Sequence, residues 1–112
     1  MRYCKALDLI DDDALIADYE KAHEKIWPGV RDHLHSQGVK NMEIYRLGTR
    51  LFMIMDVDDA VYDAQAMAKS AITNPVIAKW EALMWTYQKP TPWTPEGEKW
   101  VPMARIFDLS SQ

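Results

Sequence analysis

The stretch KNMEIYRLGTRLFMIMDV, residues 40–57, limits the possible folds more than any other part of the chain. Two strand-forming runs flank Gly48-Thr49, and a glycine in the first loop position suits a two-residue hairpin turn. That turn fixes the register, with Leu47 opposite Arg50, Tyr45 opposite Phe52, Ile44 opposite Met53 and Met42 opposite Met55. One face then carries Met42, Ile44, Leu51, Met53 and Met55; the other carries Asn41, Glu43, Tyr45, Phe52 and Ile54. The second strand is apolar on both faces, so the sheet needs cover on both sides. Helices of the same chain can provide one cover, and a second copy packed sheet against sheet can provide the other.

The flanking sequence supplies those helices. Arg2 to Leu9 alternates imperfectly over a short run, which favours a strand. Asp11-Asp12-Asp13 offers an N-cap and a favourable charge for a helix from about Asp13, with Leu15, Tyr19, Ala22 and Ile26 as its buried stripe. Asp18, Lys21 and Lys25 face water in that phase. Pro28 bends the chain at Trp27 and opens a second short helix, PGVRDHLHSQ, that Gly38 can close. Tyr62 to Ser70 is expected to be helical. Asn74-Pro75 provides a cap and a first-turn proline for a helix reaching Trp85, with Val76, Trp80, Leu83 and Tyr87 as its stripe. Lys89 to Pro102 holds too much proline and glycine for regular structure, and Val101 to Leu109 is expected to close the chain as a strand. Strand, helix, strand, strand, helix, strand is the order of a ferredoxin-like βαββαβ fold, an α+β antiparallel sheet with helices on one face. One domain over residues 1–112, assembled as a homodimer, follows as the expectation.

Composition narrows the function classes. The chain is 48% hydrophobic and 27% charged, with a formal net charge of -4 and no run of basic residues, so neither nucleic acid nor an anionic membrane is an expected partner. Cys4 is the sole cysteine and rules out an intrachain disulfide, and the opening residues lack the pattern of a signal peptide, so a cytoplasmic setting is expected. His33 and His35 are two apart on a predicted helix and diverge, with His23 a helix away, so no metal site is expected. Glycine-rich phosphate loops and nucleophile elbows are absent from the sequence. Five tryptophans, Trp27, Trp80, Trp85, Trp93 and Trp100, suit a core, an interface or a sugar platform.

His23 stands one turn after Tyr19, at the border of the buried stripe. Histidine has an unperturbed pKa of about 6.5 and can exchange protons near neutrality. Pattern alone leaves His23 open between a hydrogen-bonded border residue and an acid–base group. Tyr19 and Trp80 are in the same position: each fits a core stripe, and each fits a sugar site. Tyr45 and Glu43 fit an ordinary sheet surface.

The motif tyrosine, three residues, histidine, then isoleucine-tryptophan-proline, here Tyr19, His23, Ile26, Trp27 and Pro28, resembles the L-rhamnose mutarotases. The resemblance continues through Gly38, Asn41, Ile44-Tyr45, the strand Leu51 to Met55 and the Trp80 helix. It implies a dimeric α/β-barrel type of ferredoxin-like fold and interconversion of the anomers of a 6-deoxy-L-sugar without metal or organic cofactor. It also implies that His23 is the proton donor, that Tyr19 binds sugar and that Trp80 lines the site. The chain departs from the rhamnose pattern at Met42 and Glu81, where the family has aromatic residues that contact sugar. The segment PTPWTPEGEKWVPMARIFDL looks like a branch associated with L-fucose. A carboxylate at Glu81 adds an acceptor for a differently placed hydroxyl, which favours L-fucose. Glu81, Tyr45 or a water are the expected candidates for the complementary base. Two rival readings share the architecture: a cofactor-free monooxygenase, and a ligand-binding module in which His23 is structural.

Overall fold

A computed structural model describes all residues, 1–112. Strand β1 (Arg2–Leu9) leads into helix α1 (Asp13–Glu24), where the Asp12 side chain accepts the Leu15 N–H at 3.0 Å. Helix α1 ends at Glu24, before the proline. Trp27 adopts φ -59° and ψ 134°, the extended geometry that a following proline imposes, and helix α2 (Pro28–Ser36) starts immediately after it. Gly38 then turns the chain at φ 91°, and a Cβ there would lie 2.9 Å from the backbone nitrogen of Tyr62. Only glycine fits both demands.

Strands β2 (Val39–Leu47) and β3 (Arg50–Val57) pair in the register expected from the turn, including Leu47 with Arg50 and Met42 with Met55. Gly48 has φ 59° and Thr49 has negative φ, which together fit a type II′ turn. Burial alternates along β3: Leu51, Met53, Met55 and Val57 are buried, whereas Phe52 and Ile54 are partly exposed on the other face.

Helix α3 (Ala64–Thr73) begins two residues later than the sequence predicts. The Asp63 carboxylate accepts the N–H groups of Gln65 and Ala66, so the cap falls after Tyr62, whose ring packs 5.5 Å from that of Tyr3. Helix α4 (Pro75–Trp85) starts at the expected cap, with Asn74 accepting from Val76 and Ile77. Its fully buried residues are Ile77, Trp80 and Met84; of the predicted stripe, Trp80 is buried and Leu83 and Tyr87 pack partly buried against the core, while Val76 does not. Both sets have helical spacing, and the approach of α2 decides between them: Gly29 of α2 abuts the Val76 side chain, which remains half exposed. On α1 the same slip makes Ile16, with Ala22 and Ile26, the partner of Tyr19 in the core rather than Leu15.

The expected final strand is not formed as predicted. Gln88–Lys89 (β4) and Val101–Pro102 (β5) are two-residue strands that share the remaining edge of β1, at Asp8–Leu9 and Lys5–Ala6. Met103 makes one further backbone bond to Cys4, and the chain then leaves the sheet, ending in a 3₁₀ turn at Leu109–Ser111. Because β4 occupies the Asp8–Leu9 end of that edge, β5 is confined to the Lys5–Ala6 stretch. Every pairing is antiparallel and the spatial order is β2-β3-β1-β4, so the architecture is the α+β, ferredoxin-like one. Leu9 and Leu51 of the sheet pack with Tyr19, Val30, Ile77, Trp80 and Met84 from the helices, which places the core between one sheet face and the helical layer. No helix is long and apolar enough to cross a membrane.

Candidate active site

A cavity of about 400 Å³ opens between the helical layer and the sheet. Its walls are mostly apolar: Met42, Ile44, Met53 and Met55 form the sheet side, and Ile26, Leu34, Ile77 and Met84 belong to the helical side. The polar groups on this apolar ground are Tyr19, His23, Glu81, Lys99, Gln88, Lys5 and His33.

Tyr19 and His23 project from consecutive turns of α1, with ring centroids 4.3 Å apart. His23 Nδ1 lies 2.8 Å from the Tyr19 carbonyl oxygen. A carbonyl oxygen only accepts, so Nδ1 carries a hydrogen and Nε2 is the ring nitrogen left without a protein partner. The indole of Trp80 meets the imidazole edge-on at 5.6 Å and also packs against Trp27 at 5.1 Å. Trp27 therefore braces the platform from behind, and the bend at Pro28 is what brings it there.

Tyr19 is 3% exposed, and Gln88 Nε2 donates to its hydroxyl oxygen at 3.3 Å. Burial, with a smaller contribution from the Glu81 charge, pushes the phenol up to about 12 against the pull of the Gln88 hydrogen bond. A phenol so protected stays protonated at physiological pH and acts as a hydrogen-bond donor, not as a base. Glu81 lies next to Trp80 on α4, and Lys99 Nζ donates to its Oε2 at 2.6 Å. Lys99 also lies 4.7 Å from the centre of the Trp85 ring. Lys5 faces the cavity from β1, and burial holds its ammonium below the usual lysine range.

Four of the residues singled out in the sequence, Tyr19, His23, Trp80 and Glu81, thus converge on one cavity, with Met42 on its wall. Tyr45 does not join them. It pairs with Phe52 on the opposite sheet face, is 55% exposed and donates its hydroxyl to Glu43, although it borders a shallower outer depression that His23 also reaches. His33 lines the cavity with Nε2 buried and unpartnered, whereas His35 turns its Nδ1 to the Val39 carbonyl.

Lys5, Gln88 and Lys99 line the cavity without having been singled out in the sequence, and Trp100, one of the five tryptophans, joins them. Lys5 left a signal: it alternates with Leu7 and Leu9 and so shares the inward phase of β1. Gln88, Lys99 and Trp100 left none, because their orientation is set by two-residue strands that no periodicity reveals.

The family model for L-rhamnose mutarotase matches residues 2–109. An L-fucose mutarotase of Xanthomonas campestris pv. campestris is 47% identical over 111 residues, covering 97% of this chain and 88% of that protein. A UPF0734 protein of Dictyostelium discoideum is 38% identical, covering 96% and 88%. Among solved structures, an L-rhamnose mutarotase from Formosa agariphila superposes with a TM-score of 0.70 at 19% identity, covering 97% of this chain and 98% of that one. Tetracenomycin F2 cyclase from Streptomyces glaucescens superposes with a TM-score of 0.58 at 13% identity, covering 96% and 97%. The two structural likenesses speak for the shared fold alone, while the sequence matches span nearly the whole chain. On those matches, the chain belongs to the L-rhamnose mutarotase family, a family of carbohydrate isomerases.

Proposed function

We propose that this chain, as one mutarotase domain over residues 1–112, interconverts the α and β pyranose anomers of a 6-deoxy-L-hexose, with L-fucose favoured over L-rhamnose. The observation that carries the reading is His23: with Nδ1–H bound to the Tyr19 carbonyl, Nε2 is the free nitrogen of an imidazole that lines the cavity. In the forward direction His23, as the imidazolium, delivers the Nε2 proton to the ring oxygen as the anomeric hydroxyl loses one and the C1–O5 bond breaks. The open aldehyde rotates about C1–C2, and the ring oxygen adds to the other face while the protons return. Glu81 or a water takes the anomeric proton. Tyr45 is the weaker candidate, since it lies on the far side of the sheet.

Tyr19 donates to a neighbouring hydroxyl, Trp80 packs on the apolar side of the ring, and the methionine-rich wall receives the C6 methyl group. The preference for L-fucose rests on the Xanthomonas relative, named an L-fucose mutarotase, and on the acceptor at Glu81. A homodimer and a cytoplasmic setting complete the proposal; the former rests on the partly exposed apolar sheet face of Phe52 and Ile54, the latter on the lone free cysteine.

Saturation-transfer NMR on the anomeric protons of L-fucose and L-rhamnose tests the reading. The wild-type protein should exchange both, L-fucose faster. His23→Ala should lose the enzymatic component by about 10²-fold or more, the usual share of one acid–base group, while remaining folded. Wild-type exchange rates in that variant would reject the assignment. The apolar walls are the one feature that favours the oxygenase alternative, and oxygen uptake with a quinol as substrate would support it.

A further inference from the structure

Gln88 is 4% exposed, lines the cavity and presents two polar ends that receive different treatment. Its Nε2 donates to the Tyr19 hydroxyl oxygen at 3.3 Å, whereas its Oε1 is buried without a partner. The backbone at this point is fixed, because Gln88 pairs with Leu9 of β1 and the preceding Tyr87 carbonyl accepts from Ile10 at 2.8 Å. A buried acceptor without a partner weakens a fold, and native proteins keep such groups rarely. A methionine of similar length would fill the same space without the unpartnered acceptor, but would remove the donor to the Tyr19 hydroxyl. Packing alone therefore does not account for an amide here: what the amide adds is its bond to Tyr19.

We infer that Gln88 is a positioning residue for the exchange reaction: by donating to the Tyr19 oxygen it leaves the Tyr19 hydroxyl hydrogen free for a hydroxyl of the bound sugar. Turned the other way, the amide would accept that hydrogen and consume it, so the orientation of Gln88 decides whether Tyr19 can serve as a donor. The direction N–H to Oη, then Oη–H to sugar, also makes each bond polarise the next, which strengthens the contact to substrate. A protonated phenol is what this arrangement needs, and its burial beside Glu81 keeps it so. The inference rests on the anomer-exchange reading and adds to it the residue that sets the hydroxyl's direction.

A double-mutant cycle with Gln88→Met and Tyr19→Phe tests it, with kcat/KM for L-fucose exchange and the thermal midpoint read on each variant. Gln88→Met should leave the protein folded and lower kcat/KM by about tenfold, the effect of one hydrogen bond. In the Tyr19→Phe background it should have no further effect, because its action runs through the phenol. Additive losses in the double variant, or a fall in Tm with unchanged kcat/KM, would overturn the inference.

A second measurement needs neither catalysis nor a folded Gln88 variant. The side-chain amide resonances of Gln88 in a ¹⁵N-correlated spectrum should shift in Tyr19→Phe and again on saturation with L-fucose. Resonances that stay put in both cases would overturn it as well. Wild-type protein that fails to accelerate exchange would instead remove the mutarotase reading, and the response of the amide to Tyr19→Phe would still decide whether Gln88 governs Tyr19.

Discussion

Glu81 is the side chain on which the proposed preference for L-fucose rests. It sits beside the Trp80 platform, its charge reaches the Tyr19 phenol, and its Oε2 is held by Lys99. Lys99 is well buried, with a side chain 14% exposed against 37% for Glu81. The pair sets an acceptor and a donor side by side on the lining of an apolar cavity. Replacing Glu81 by tryptophan restores the aromatic of the rhamnose pattern and removes the acceptor. Glu81→Trp is expected to shift the ratio of L-fucose to L-rhamnose exchange rates toward L-rhamnose by about tenfold, the value of one lost hydrogen bond. Equal ratios in variant and wild type, measured by NMR on both sugars, would place the discrimination at another residue. The adjacency of His23 and Tyr19 was legible in the sequence because the helical period sets them one turn apart, whereas their expected roles came from the family resemblance. Lys99 was not, because nothing in a proline-rich loop states which helix it will reach.

At the scale of the element, Asn74 governs the entry to α4. Its backbone N–H closes α3 on the Ser70 carbonyl, and its side chain caps α4 at Val76 and Ile77. Asn74→Ala is expected to cost about 1 kcal/mol, which lowers Tm by about 4 °C in a domain of this size. Differential scanning calorimetry reads the change directly. Exchange activity at 25 °C should stay within about twofold of wild type, since the helix carrying Trp80 keeps its packing against Tyr19 and Val30. An unchanged Tm would mean that solvent satisfies the two N–H groups equally well. The Asn-Pro signal was readable because capping is local chemistry. The start of α3 was misread by two residues for the same kind of reason: Asp63, not a residue before Tyr62, takes the cap.

For the whole molecule, the sheet face opposite the helices is the outstanding surface. Phe52, Ile54 and Tyr45 lie on it, near an Asp8–Arg50 pair that is doubly hydrogen-bonded at 2.8 and 3.1 Å with Trp93 stacked 5.1 Å from the guanidinium. A second copy packed on this face would bury the apolar side chains that the helices cannot reach. Multi-angle light scattering at micromolar concentration is expected to give twice the 13.0 kDa chain mass. Ile54→Asp should reduce it to the monomer, because a charge at the centre of such a contact is desolvated without a partner. A wild-type monomer under those conditions would remove the basis for the dimer.

Local physics determined much of this chain before any tertiary contact. The turn at Gly48 set the hairpin register, Asp12 and Asn74 opened their helices, Pro28 bent the chain, and the helical period put Tyr19 and His23 on neighbouring turns. These outcomes depend on a few consecutive residues, so a sequence states them. Tertiary structure alone decided the rest: which phase of α4 is buried, that one edge of β1 is shared by two short strands, and that Gln88 and Lys99 meet Tyr19 and Glu81. Those choices depend on the approach of segments far apart in the chain, where several pairings satisfy the same local rules and only packing selects one.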